Sequence, residues 1–69
     1  MSRYLVVVER AKRNFAAYLL DVPGCVATGK TRAETLERIR KAFAMHVAGL
    51  REDGLPVPEP VSSGDYVGI

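Results

Sequence analysis

The sequence predicts an α+β domain: a two-layer sandwich in which one long helix covers one face of a small sheet. Three observations predict it. Residues 31–54 carry apolar side chains at helical spacing between a clear start and a clear stop. Short apolar runs rich in β-branched and aromatic residues precede that stretch. A proline-rich return follows it and leads to a last short apolar run. The expected order is β-β-β-α-β, with a three-stranded antiparallel sheet and a short parallel fourth strand beside the first, in the spatial order 3-2-1-4.

The helix is the best-defined element. Thr31 and Glu34 form a T-x-x-E capping box, in which each side chain can reach the other residue's amide. Leu36, Ile39, Phe43, Val47 and Leu50 follow at steps of three or four and make one stripe. Glu34, Glu37, Arg38, Arg40 and Lys41 fall largely on other faces. Gly54 suits the left-handed position just past the end, and Pro56 forbids continuation. Such a helix is roughly 33 Å long and spans a small domain.

The strands are read as Tyr4–Val8, Phe15–Leu20, Val26–Thr28 and Asp65–Ile69. Glu9–Asn14 is polar and basic and serves as a hairpin connection, with Asn14 suited to a left-handed turn. Asp21, Pro23, Gly24 and Gly29 punctuate the chain around the third strand: proline fixes φ and glycine supplies a positive φ. Both faces of the first strand are apolar, yet one helix covers only one face of a sheet. The uncovered face therefore asks for a partner. Tyr4, Val6, Val8 and Tyr18 are the residues expected at such an interface. Leu55–Pro60, with prolines at alternate positions, is a stiff return connection.

Composition narrows the function. Sixty-nine residues make one domain, 1–69, whose small core favours association with other chains. Ten basic and eight acidic residues are too balanced to announce a nucleic-acid binder, although Arg3, Arg10, Lys12 and Arg13 gather near the start. Met1–Arg3 runs into a five-residue strand and not into a longer signal-peptide core, and no apolar run approaches membrane-spanning length. A cytoplasmic protein is expected.

Catalytic chemistry finds little support. Cys25 is the single cysteine and His46 the single histidine, so neither an intramolecular disulfide nor a zinc cluster is expected. Cys25 lacks a visible activating base and is read as packing; His46 is read as a boundary residue of the helix. Glu9, Asp21 and Glu34 are not placed to converge on metal ions. No phosphate-binding loop, dinucleotide fingerprint or nucleophile elbow is present. No catalytic residue, metal or cofactor is expected.

The residues do resemble a known family. Phe15-Ala16-Ala17-Tyr18, then Asp21-Val22-Pro23-Gly24-Cys25-Val26-Ala27-Thr28-Gly29, then the Thr31-Arg32-Ala33-Glu34 helix start, are similar to the N-terminal domain of HicB-type antitoxins. Leu50–Pro60 resembles the Glu-Asp-Gly and alternating-proline ending of that family. The resemblance implies a partial RNase H-like fold. It implies an antitoxin of a type II toxin–antitoxin system that binds and masks a small, basic, mRNA-cleaving HicA-like toxin, and a homodimer or homotetramer. It also implies structural roles for Asp21, Pro23, Gly24 and Gly29. Lys30 stands where the family often has an acid, and no C-terminal DNA-binding segment is expected, so direct DNA binding is not. Two other readings stand beside it: a solitary homo-oligomeric module without a toxin, and a degenerate nuclease suggested by fold analogy alone.

Overall fold

The computed structural model describes residues 2–69. The elements run β1 (Val6–Arg10), β2 (Phe15–Leu19), β3 (Val26–Gly29) and α1 (Arg32–Glu52). The three strands form one antiparallel sheet in the order β1-β2-β3. α1 packs across one face of it.

The helix is built as its sequence specifies. The Thr31 hydroxyl accepts from the Glu34 amide at 3.1 Å. The capping box is only half made, because the Glu34 carboxylate pairs with Arg38 at 2.8 Å, one turn on, where the opposite charge is within reach. Thr31→Ala should lower stability by about 1 kcal/mol, read from the urea midpoint. At the other end Gly54 adopts φ +68°. Its amide donates to the Arg51 carbonyl and the Leu55 amide to the Leu50 carbonyl, which together make a Schellman stop.

β1 is displaced by two residues from the expected strand. β2 ends at Leu19, opposite Val6, and the chain then turns, so Tyr4 and Leu5 have no ladder partner. At the far end Glu9 and Arg10 continue the ladder opposite Ala16 and Phe15. The hairpin closes with the Ala11 amide donating to the Asn14 carbonyl at 2.9 Å. Only glycines have positive φ among the described residues, so Asn14 closes this turn without the left-handed conformation.

The core consists of Ala17, Leu19, Val22, Cys25 and Ile39, with Tyr4, Val6, Val8, Ala27, Leu36, Ala42 and Phe43 packed against it. Small residues set the spacing between layers. Gly29 lies under the buried Thr35, whose hydroxyl donates to the Thr31 carbonyl at 2.7 Å. Of the helical stripe only Ile39 is fully buried; Leu36, Phe43, Val47 and Leu50 are half-buried. A helix of 21 residues is about 31 Å long against about 17 Å for a five-residue strand, so its C-terminal half runs past the sheet.

The expected parallel fourth strand is not formed. Residues 55–69 contain no strand, and Tyr66, Val67 and Ile69 are exposed. The segment is instead tied down by side chains. The Tyr4 hydroxyl donates to the Pro58 carbonyl, and the Val61 and Ser62 amides donate to Asp21. These anchors hold the chain across the end of the sheet, and no residue beyond Ser62 is paired with β1.

Candidate functional site

Alternation along the strands fixes what each sheet face presents. Val6 lies opposite Leu19 and Val8 opposite Ala17, both buried beneath α1. Their neighbours Leu5, Val7, Ala16, Tyr18, Val26 and Thr28 therefore form the other face. No helix or strand among the described residues covers it, and Gly64 approaches it only at Leu5. Val26 is 65% exposed, and Leu20, at the margin, is 48% exposed. Leu5, Val7 and Tyr18 are half-buried. The result is an apolar surface with Glu9 as the strand acid at its rim.

The four side chains singled out for an interface divide between two layers. Tyr4, Val6 and Val8 pack against the core on the helix side. The Tyr4 ring meets Phe43 with centroids 4.7 Å apart and planes tilted by 58°. Tyr18 alone faces the uncovered side. The pairing register decides this, since a shift of one residue would exchange the faces. Leu5, Val7 and Val26 lie on that side with it, outside the four residues singled out. Their signal lies in the small residues of the opposite face, Ala17, Ala27 and Gly29, which mark where a helix can approach closely.

The turn residues have distinct tasks. Gly24 takes φ +84° in a turn where the Cys25 amide donates to the Val22 carbonyl and seals Val22 inside. Pro23 is exposed in the same turn. Asp21 is the surprise of the group. Its Oδ1 accepts from the Ser62 hydroxyl at 2.7 Å. Its Oδ2 accepts from the Ser62 amide at 2.9 Å and the Val61 amide at 3.0 Å. Nothing in the sequence links residues 40 positions apart in this way.

These bonds, the Ser62 hydroxyl foremost, hold the Asp21 carboxyl below its ordinary range against an opposing desolvation. The charged form is favoured by folding. The latch is therefore complete above the ordinary carboxylate range, and its contribution is lost as pH falls through the lowered folded value. In a nuclear magnetic resonance titration the Val61 and Ser62 amide shifts should move together, with a midpoint below the ordinary carboxylate range. Asp21→Asn should abolish that titration.

Cys25 is buried in the core cluster, and burial pushes its thiol pKa up. His46 is half-buried on α1. No three His, Cys, Asp or Glu side chains gather into a metal-binding group among the described residues. No helix among them is long and apolar enough to cross a membrane.

Known proteins are similar to this chain. One chain of a solved "HicA3 and HicB3 toxin-antitoxin complex" superposes with a TM-score of 0.73 at 30% identity, over 87% of this chain and 70% of that one. An uncharacterized 14.9 kDa protein from the rep-hol intergenic region of Haemophilus phage HP1 is 27% identical over 64 residues. That match takes in 93% of this chain and 48% of the phage protein, so the chain spans about half the length of its curated relative. The family described as the HicB-like antitoxin of bacterial toxin–antitoxin systems matches residues 4–67. A match over nearly the whole chain means that this chain belongs to the HicB-like antitoxin family.

Proposed function

We propose that this chain binds a small, mRNA-cleaving HicA-like toxin by protein–protein contact and holds it inactive. The observation that carries this reading is the apolar sheet face of Leu5, Val7, Tyr18 and Val26, which the fold builds and then leaves uncovered. Exposed apolar patches of this kind on small domains mark interaction sites. The similar solved chain comes from a toxin–antitoxin complex, which supports a toxin as the partner.

The chain acts by steric masking in this reading, and supplies no chemistry of its own. Tyr18 is the natural anchor: an aromatic side chain near the middle of the patch, with a hydroxyl to orient the contact. The test is cleavage of an RNA substrate by the purified toxin with increasing amounts of this chain. Cleavage should fall to background at equal stoichiometry. Unchanged cleavage at a clear molar excess would refute the reading.

A further inference from the structure

We propose that the groove between α1 and the inner face of β1 is a docking site for an acidic amphipathic helix of another protein, separate from the surface that masks a toxin. α1 is the single helix among the described residues, and it packs on β3 and β2. A helix is about 10 Å across and strands lie about 4.8 Å apart, so one helix covers two strands. The helix-side face of β1 is left beside it, and Val6 and Val8 there are only half-buried. Three hollows of about 510, 290 and 330 Å³ follow this flank of α1, and Tyr4 lines all three.

The floor of the groove is apolar: Tyr4, Val6, Leu36, Phe43 and Val47 line it, all half-buried. The rim is cationic. Arg3 comes from the chain ahead of β1, and Arg32, Arg40 and Arg51 come from the flank of α1 that carries Leu36, Phe43 and Val47. All four are exposed. Among the described residues Arg3, Arg32 and Arg51 make no ion pair, and Arg40 reaches Glu37 only at 3.9 Å. Glu59 is the one acid in the lining, so the groove sets four cations against one acid, whereas the whole chain has ten against eight. From Arg32 to Arg51 the flank runs about 28 Å, the length of a helix of about 19 residues. The occupant that fits has an apolar stripe for the floor and carboxylates beside it, the mode in which an amphipathic helix enters a groove. Guanidinium groups stay charged and pair carboxylates in bidentate fashion, so the rim selects an acidic sequence. A basic toxin is repelled by the same rim.

The test is fluorescence anisotropy of a labelled peptide of about 18 residues, with leucine at every third or fourth position and glutamate and alanine elsewhere, titrated with the intact chain. The peptide should bind saturably, and the same peptide with lysine for glutamate should not bind. The Arg40→Glu/Arg51→Glu variant should lose about tenfold or more in affinity. Both side chains are exposed, so the variant should keep its circular dichroism spectrum. No binding of the acidic peptide, or equal binding by the folded variant, would overturn the proposal. Equal binding of a scrambled peptide or of a single-stranded RNA of the same charge would show attraction without a fitted groove, and would overturn it too. Displacement of the peptide by a HicA-like toxin would give the groove to the toxin, and binding that falls as dimers accumulate in sedimentation would give it to a second copy; either result contradicts the proposal. The masking function is read from RNA cleavage instead, so the two stand or fall separately.

Discussion

Ile39→Ala is expected to cost about 2–5 kcal/mol and to leave much of the population unfolded at ordinary temperature. Ile39 is 1% exposed and is the one helical side chain of the core cluster. It shares the cluster with Ala17, Leu19, Val22 and Cys25, so its truncation leaves a void in the middle of the core. A domain of 69 residues has a total stability of only about 3–10 kcal/mol. The loss is of the same order as the whole. Urea unfolding measures it, and Met45→Ala is the control. Met45 is 76% exposed on the same helix, and its truncation should change stability by less than about 0.5 kcal/mol.

Gly29→Ala is expected to cost about 1–3 kcal/mol, despite adding a single methyl group. A Cβ there would meet the Thr35 hydroxyl at 2.6 Å, the Thr35 nitrogen at 3.0 Å and its Cα at 3.2 Å. The hydroxyl is tied to the Thr31 carbonyl, and the other two atoms are helix backbone. Relief requires the first turn of α1 to lift off the sheet. Gly64→Ala is the contrast, because its nearest neighbour would be a Leu5 methyl at 3.5 Å, an ordinary contact. The two thermal midpoints should separate clearly, with only the Gly29 variant displaced.

These two sites also show what the sequence discloses. The helix was legible because its signals are local: Thr31 before the stripe, Gly54 and Pro56 after it. The stripe was legible in position but not in depth, since the sheet beneath it is too short to bury Val47 and Leu50. The faces of β1 were not legible, because Tyr4-Leu5-Val6-Val7-Val8 is apolar on both sides. What separates them is the pairing of Val6 with Leu19, a relation between strands. The small residues Ala17, Ala27 and Gly29 carried the clue. Gly29 read as turn punctuation, whereas its first task is to let Thr35 approach. The expected fourth strand rested on the propensity of Tyr66, Val67 and Ile69. Propensity does not decide where an edge is found, and the anchors on Asp21 and Tyr4 direct the return segment across the sheet end instead. Those anchors join residues far apart in the chain, so no local pattern announces them.

The central claim is that the uncovered sheet face engages the toxin. Calorimetric titration of a HicA-like toxin with the wild-type chain and with Tyr18→Glu tests it most directly. Tyr18 lies outside the core cluster, so the variant should keep its fold, which circular dichroism verifies. The expected result is saturable binding by the wild type and a loss of about 2 kcal/mol or more in the variant. Equal affinity of a folded Tyr18→Glu chain would contradict the claim and move the interface away from this face.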